Sequence, residues 1–294
     1  MSVSMRGNTT LAKNRVSLGI LRSGRPLLAC LILLTAISGP NLCAQEREKQ
    51  ATPIEVKIGG YDFPPYVWMY GGQTAKGATL DLIVALNQSQ SEYRFSFFPT
   101  TAKRRYLDFK QQNYDVILFE SVLWGWQKLQ HDATSVFMGG GEVYIALNLP
   151  GRDQNFFTDI QSKQLVGILG YHYGFASFNA DEDFLRKNFA ILLSNNHERN
   201  IQLVLLNRPD VAEVAVVTKS LLDNYLEKSP RVKNQLLISQ VYDQTYEHRA
   251  IVRPGSPIAA RQLEALINAL GRSGAVERIR ERWHLSNSIF ESVH

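Results

Sequence analysis

Short apolar runs alternate with longer amphipathic stretches along the chain. In the first half, residues 54–61, 93–99 and 115–119 have the length and composition of strands, and residues 78–87 and 102–112 have helical spacing. Strands that alternate with helices in this way form a mostly parallel sheet with helices on both faces. The first half therefore predicts an α/β layer.

The second half repeats the alternation with new elements. Strands are predicted at 164–169, 190–194, 211–218 and 235–242, and helices at 181–188, 198–207, 220–228, 258–271 and 275–283. The two sets together leave room for one large domain or two domains of about 125 residues each.

The first 44 residues have the composition of an export signal. They carry five basic residues and no acid, followed by an apolar run at 27–38 that is shorter than a membrane-spanning helix. Cys43 is preceded by Leu42 and Pro40, whereas lipid attachment needs a small residue just before the cysteine and an aliphatic one three before it. We predict a cleaved signal peptide over 1–44 and a soluble periplasmic protein.

Charge and cysteine content exclude several classes of function. The five basic residues of the leader account for the whole excess of 32 Lys and Arg over 27 Asp and Glu, so no basic surplus remains for nucleic acid. Both cysteines, Cys30 and Cys43, lie in the leader. The six histidines lack metal-binding spacing, and phosphate-binding and hydrolase motifs are missing. We therefore predict no cofactor, no metal and no nucleic-acid partner.

Four stretches of the chain resemble a known family when they are read in order. They are YDFPPYVW at 61–68, GATLDL at 77–82, FKQQNYDVIL at 109–118 and GAVERIRERW at 274–283. Together they resemble the family 3 extracellular solute-binding proteins, periplasmic receptors that are best known from amino-acid uptake. The resemblance spans residues 54–284.

The resemblance implies an α/β fold of the two-lobed periplasmic binding protein type (type II), with two crossing hinge segments and a ligand between the lobes. The crossings are expected near 143–148 and 242–248. The first lobe would then comprise 52–145 and 245–290, and the second lobe 146–244.

Two departures from the family concern the amino-acid clamp. Counting from Asp115, Gln127 stands where amino-acid-binding members place an arginine for the ligand carboxylate. Where the second lobe often has an aspartate for the ligand's amino group, the nearest candidates are Glu213 and Thr218. A neutral amide cannot form a charge-assisted fork. We therefore expect a ligand with a cationic or polar end near Glu120.

The stretch after the third predicted strand supplies candidate ligand-binding residues. Glu120 and Ser121 emerge at the carboxyl end of that strand, the edge where open α/β sheets bind ligands. Trp124, with Trp126 beside it, offers an aromatic wall for an apolar or cationic group. The alternative is that Glu120 caps the next helix while the tryptophans pack inside the protein.

Three consecutive cations, Lys103, Arg104 and Arg105, fall in the first turn of a predicted helix, where the helix dipole disfavours positive charge. An anionic ligand group or Glu120 would offset that cost, which makes Arg104 a candidate site residue. Alternatively, Arg104 pairs with Asp108 four residues later.

Four tyrosines complete the candidate site. Tyr61 and Tyr66 flank the stiff Pro-Pro turn after the first strand. Tyr171 and Tyr173 belong to the GYHYG loop, which resembles the family's ligand-contacting loop in the second lobe. The alternative for each tyrosine is ordinary core burial.

Together these features predict a monomeric receptor, not an enzyme, that captures a small polar molecule. It would serve an ABC-type uptake permease or a membrane sensor. One alternative is a dehydratase-like enzyme that uses Glu120 or Glu213 as acid or base. Another is an interaction domain that has lost ligand binding.

Overall fold

The computed structural model describes residues 52–69 and 75–286. The predicted signal peptide at 1–44 lies outside these residues. None of the helices in the described ranges has the length and apolar character needed to cross a membrane.

The predicted helices and strands appear in the predicted order, together with elements that were not predicted. The first part of the chain forms β1 (Ile54–Gly60), α1 (Ala78–Ser89), β2 (Tyr93–Pro99), α2 (Arg105–Lys110), β3 (Val116–Glu120), a 3₁₀ turn (Trp126–Lys128), β4 (Asp132–Ala133) and β5 (Met138–Leu147). The second part forms β6 (Leu165–Ile168), α3 (Glu182–Asn188), β7 (Ile191–Ser194), α4 (His197–Leu205), β8 (Val214–Thr218), α5 (Lys219–Lys228) and α6 (Pro230–Lys233). The chain closes with β9 (Leu236–Val252), α7 (Ala260–Arg272) and α8 (Ala275–Arg282).

Local capping residues explain where several helices begin. The side chains of Asp181 and Asn196 accept hydrogen bonds from the first turns of α3 and α4, each at 2.8 Å. Gly274 adopts a left-handed φ of 73° between α7 and α8, a conformation that glycine takes without steric cost. The chain can therefore turn sharply between its last two helices.

The described strands form one sheet in the order β2-β1-β3-β9-β5-β8-β6-β7, with β4 paired to β9. β1 is parallel to β2 and β3, and β6 is parallel to β7 and β8. We call β1–β3 with their helices the first layer, and β6–β8 with theirs the second layer. Between the layers run β5 and β9.

The prediction of a mostly parallel sheet is wrong for the middle of the structure. β9 pairs antiparallel with β3 and β5, and β5 pairs antiparallel with β8. Helical crossovers produce the parallel pairs inside each layer, whereas β5 and β9 carry the chain between layers in opposite directions. The crossings expected near 143–148 and 242–248 fall on or beside these two strands, and the lobe boundaries drawn from them stay predictions.

The buried core divides into two clusters. The smaller one lies between β5, β6, β8 and the helices α4 and α5, and includes Val143, Ile145 and Ile201. The larger cluster includes core residues of the first layer and a group of aromatic side chains from both layers. That aromatic group occupies the space where the carboxyl ends of the strands meet.

Candidate ligand-binding site

The site is built where strand ends of the two layers face each other. Tyr61 follows β1 and Glu120 ends β3 in the first layer, while the 170–174 loop follows β6 and Thr218 ends β8 in the second. Carboxyl ends of parallel strands are the usual ligand-binding edge of an α/β sheet. Both layers therefore present that edge to the same space.

A buried ion pair forms the first-layer side of the site. Arg105 Nε lies 3.5 Å from Glu120 Oε2, and both side chains are almost fully buried. The guanidinium lies over two rings, 4.6 Å from the centre of Tyr61 and 4.4 Å from that of Tyr106. Trp126 Nε1 donates to Glu120 Oε2 at 2.5 Å. Burial raises the pKa of Glu120, and the Arg105 charge and the Trp126 hydrogen bond act in the opposite direction.

Four aromatic rings surround a small cavity next to this pair. Phe63 meets Trp124 edge-on at 5.7 Å and Tyr171 edge-on at 5.6 Å, and Tyr61 meets Tyr171 at 6.2 Å. The cavity has a volume of about 10 Å³, close to the minimum that a water molecule needs. The other residues that line it are Arg105, Glu142, His172 and Gln244. We call Tyr61, Phe63, Trp124 and Tyr171 the aromatic box.

Glu142 is the second acid at this cavity. It lies on β5 and is only 3% exposed. One oxygen accepts a hydrogen bond from Gln244 Nε2 at 2.8 Å, and Gln244 Oε1 in turn accepts from Trp124 Nε1 at 3.0 Å. Burial and the nearby Asp243 charge raise the pKa of Glu142 to about 8. Among the described residues, Glu142 forms no ion pair, so its charge has no partner when the carboxyl group is ionised.

The 170–174 loop closes the cavity from the second layer. The hydroxyl of Tyr171 donates to the backbone carbonyl of Asp62 at 2.8 Å, and it lies 3.1 Å from His197 Nε2. His172 Nε2 lies 2.8 Å from the hydroxyl of Tyr106. These contacts connect the two layers directly, so the described conformation is a closed one.

An open groove lies outside the closed cavity. Its volume is about 870 Å³, and His172 lines both the groove and the cavity. One wall carries Lys103, Lys110 and Lys128, and the other carries Asp181, Glu182 and Asp183. Lys103 and Glu182 approach to 3.4 Å across it. His172 therefore lies between the groove and the cavity.

Known structures match this architecture. No protein-family model matches the sequence, and a comparison with curated proteins gives no match. A putative binding component of an ABC transporter from Wolinella succinogenes, complexed with lysine, aligns with 81% of this chain and 99% of its own at 14% identity and a TM-score of 0.63. The chain has the two-lobed fold of type II periplasmic binding proteins.

Two further structures have similar matches. A mutant of ArgBP from T. maritima aligns over 78% of this chain and 95% of its own, at 14% identity and a TM-score of 0.60. The GluR0 ligand-binding core with L-glutamate aligns over 79% and 98%, at 17% identity and a TM-score of 0.60. The fold implied by the family resemblance is thus confirmed, and we call the two layers of the sheet its lobes.

The structure brings several of the predicted site residues together between the lobes. Tyr61, Trp124 and Tyr171 line the cavity, and Glu120 lies beside it in its pair with Arg105. Tyr66 is buried behind Phe63, with ring centres 4.6 Å apart. Ser121 is buried at the end of β3, where its hydroxyl accepts from the backbone N–H of Leu123 at 3.3 Å.

Three other predicted residues lie away from the cavity. Tyr173 belongs to the 170–174 loop, but its side chain is buried with the hydroxyl against the backbone of β6. The side chain of Arg104 is 60% exposed and pairs with Asp108 at 3.0 Å. Glu213 precedes β8, at the opposite end of that strand from the site, and faces Arg152 at 4.0 Å.

Sequence reasoning did not select three residues that line the cavity. Arg105, rather than its neighbour Arg104, turns inward to Glu120. Glu142 and Gln244 enter from β5 and β9. A signal for Glu142 was present, because it is an acid inside the otherwise apolar run EVYIAL that follows three glycines. An acid in such a run is rarely buried without a functional or structural partner.

Proposed function

We propose that this protein is a solute-binding receptor that captures a small polar molecule between its two lobes. The observation that carries the proposal is the cavity between the lobes, which joins an aromatic box to a buried acid without a counter-charge. Pockets with apolar walls and a few converging polar groups are typical ligand sites. A structural core has no need of a buried acid without a charge partner.

The cellular role follows from the leader and from the kind of fold. The export signal predicted at 1–44 would deliver the chain to the periplasm as a monomer. There it would pass its ligand to an ABC-type permease or report it to a membrane sensor. Structures that are similar to it carry lysine, histidine or L-glutamate, in support of a small charged or polar ligand.

The two acids that the sequence offered for catalysis, Glu120 and Glu213, are poorly placed for it. Glu120 is held by Arg105 and Trp126, and Glu213 lies at the far end of its strand. A general acid or base must reach its substrate directly or through one water molecule. We therefore favour a receptor over a dehydratase-like enzyme, although one similar structure is described as an ancestral precursor of cyclohexadienyl dehydratase.

Opening of the lobes is part of the proposal. A cavity of about 10 Å³ admits no organic ligand, so the 170–174 loop must separate from the first lobe for loading. Hinge closure around a ligand is the usual motion of this fold. The contacts to be broken include those of Tyr171 with Asp62 and of His172 with Tyr106.

The test uses the exported protein purified natively, with co-purified small molecules released and identified by mass spectrometry. A ligand at about 100 times its dissociation constant should stabilise the protein by about 2.7 kcal/mol in a thermal-shift assay. Intrinsic fluorescence should change on binding, and the change should be lost in Trp124→Phe, because this ring lines the cavity.

The matched control is Trp68→Phe. Trp68 packs 6.5 Å from Trp283, outside the aromatic box, so this variant should keep the fluorescence response. A natively purified protein that carries no small molecule, and that no member of a broad metabolite panel stabilises, would contradict the receptor function. That outcome would favour the interaction domain.

A further inference from the structure

The charges around the cavity identify the kind of ligand that would complete it. Arg105 and Glu120 form a neutral pair, which leaves the carboxyl group of Glu142 as the unbalanced one at the cavity. When Glu142 is ionised, the site carries one net negative charge. A ligand with one net positive charge would make the closed site neutral, whereas an anion would add a second unbalanced charge in a dry environment.

Glu142 accepts fewer hydrogen bonds than the nearby acid Asp243. Asp243 accepts hydrogen bonds from the backbone N–H groups of Gly174 and Phe175 at 2.7 and 2.8 Å, and from the hydroxyl of Tyr144 at 2.5 Å. Within residues 52–69 and 75–286, the carboxyl group of Glu142 accepts one hydrogen bond, from the neutral amide of Gln244. A buried carboxylate normally has a cation or several donors. The position where Glu142 lacks a partner therefore faces the cavity.

The walls of the cavity favour the same kind of ligand. Aromatic faces carry partial negative charge and attract cations, with tryptophan the strongest of the three rings. The aromatic box surrounds a space that also touches Glu142, and since the guanidinium of Arg105 already lies over Tyr61, the rings of Phe63, Trp124 and Tyr171 remain for a ligand. The arrangement of an acid inside an aromatic enclosure is suited to an ammonium or guanidinium head.

We propose that the ligand has a cationic head, an ammonium or guanidinium group, which Glu142 and the aromatic box bind together. This inference rests on the proposed receptor function and names the ligand class for the same site. Gln244 acts as a positioning residue, because it joins the carboxyl group of Glu142 to the indole of Trp124. The cationic head enters when the lobes are open, and it occupies the space beside Glu142 when they close.

Binding should be coupled to proton release. The carboxyl group of Glu142 must be ionised to pair with a cation, and in the closed ligand-free protein its pKa is about 8. At pH 7 most of the protein carries that proton, so binding a permanent cation should release about one proton.

The other ionisable groups around Glu142 are not expected to supply that proton. Five tyrosines are electrostatically coupled to it, and burial raises the pKa of each: Tyr66, Tyr144, Tyr171, Tyr173 and Tyr246. His172 is neutral at pH 7, since burial and the charge of Arg105 lower its pKa to about 4. Burial raises the pKa of Asp243, and its three donors oppose that rise.

The experiment is isothermal titration calorimetry at pH 7, in two buffers with different ionisation enthalpies. The cationic probes are the monocations choline, n-butylammonium and n-butylguanidinium, and the comparison compounds are 3,3-dimethyl-1-butanol and succinate. The uncharged butanol has the shape of choline without its charge. We expect at least one cation to bind with release of about one proton, and the comparison compounds to bind at least tenfold more weakly.

Three variants assign the effect. Glu142→Gln keeps an acceptor for Gln244 and should weaken cation binding about ten- to a hundredfold, the range for a lost charge-assisted contact, and should abolish proton release. Trp124→Leu should also weaken binding, and it tests the site independently if Glu142→Gln does not fold. Glu213→Gln removes an equal charge outside the site and should bind like the wild type.

The outcomes separate this inference from the receptor function. Tight binding of a neutral or anionic compound, unchanged in Glu142→Gln, would overturn the cation assignment and leave the receptor intact. If no compound of either set binds and native purification yields no ligand, both proposals fail. Cation binding without proton release would overturn the role of Glu142.

Discussion

The buried pair of Arg105 and Glu120 gives the most direct test of the architecture. Replacement of Glu120 by glutamine removes one charge but keeps an oxygen that can accept from Trp126 Nε1. Arg105 then remains about 1% exposed without its counter-charge. Its contacts with the rings of Tyr61 and Tyr106 persist, and they offset only part of the desolvation.

The size of the effect follows from burial. Removing one partner of a buried ion pair costs about 3 to 5 kcal/mol, because the remaining charge stays out of water. An exposed pair is worth about 0 to 1 kcal/mol. We expect Glu120→Gln to lower the free energy of unfolding by about 3 kcal/mol. The double variant Arg105→Met with Glu120→Gln should be less destabilised than the sum of its single variants, since no lone charge remains.

The assay is urea unfolding at pH 7, followed by far-ultraviolet circular dichroism, for the wild type and the variants. The matched control is Glu55→Gln, at a pair with Arg94 in which both side chains are more than half exposed. That variant should change the free energy of unfolding by less than about 1 kcal/mol. Equal effects of Glu120→Gln and Glu55→Gln would refute the reasoning from burial.

Three further predictions concern stability. Burial lowers the pKa of His248 to about 3, below its ordinary value of 6.5, so its contribution to stability is lost as the pH falls. From pH 7 to 5 the loss is about 2 kcal/mol, and His248→Phe should reduce this loss in urea unfolding; an unchanged loss would contradict it. The pKa of Glu142 is raised, so its contribution is lost as the pH rises from about 4.5 to 8. Glu142→Gln should remove a decline of about 3 kcal/mol between pH 5 and 8, and a wild-type protein without that decline would argue against a protonated Glu142. A Cβ on Gly174 would lie 2.0 Å from the carbonyl oxygen of Asp243, so Gly174→Ala should lower the unfolding free energy by at least about 1 kcal/mol, while Gly271→Ala, with open space around its Cβ, should not.

Local pattern was enough to predict most of the elements. The strand predicted at 93–99 has those bounds in β2, and the predicted helices over 181–188 and 220–228 match α3 and α5 to within one residue. The helix predicted over 102–112 is shorter, because α2 begins at Arg105. The three residues before it form a turn in which Thr101 accepts hydrogen bonds from the backbone of Arg104 and Arg105, so the cations largely precede the helix.

β9 shows what local pattern cannot supply. The sequence predicted a strand at 235–242, whereas β9 is one strand of 17 residues. Its burial changes along its length, because it pairs with β5 between the lobes and then with β3 inside the first lobe. The buried residues Gln244, Tyr246 and His248 alternate in period two, which is a strand signal, but their partners are distant in sequence.

The sequence predicted where the site lies better than it predicted which side chains point into it. The strand edge at Glu120 and the aromatic residues Trp124 and Tyr171 do come together between the lobes. The choice between Arg104 and Arg105 depends on how the turn before α2 is rotated against β3, which the spacing of charges does not determine. Arg104 has an alternative partner in Asp108 and stays at the surface, so Arg105 is left to compensate Glu120.

The two buried acids at the site therefore have different physical positions. Glu120 is held by the guanidinium of Arg105 and the indole N–H of Trp126. If Glu120 left that pair to bind a ligand, Arg105 would remain buried without a counter-charge, as in Glu120→Gln. Glu142 has one amide donor, a raised pKa and a cavity beside it, so a cation can approach without displacing any protein partner. A cation that binds there supplies the counter-charge that the buried carboxyl group of Glu142 lacks in the closed form. The same arrangement would make closure of the lobes favourable with the ligand present and less favourable, at neutral to alkaline pH, without it.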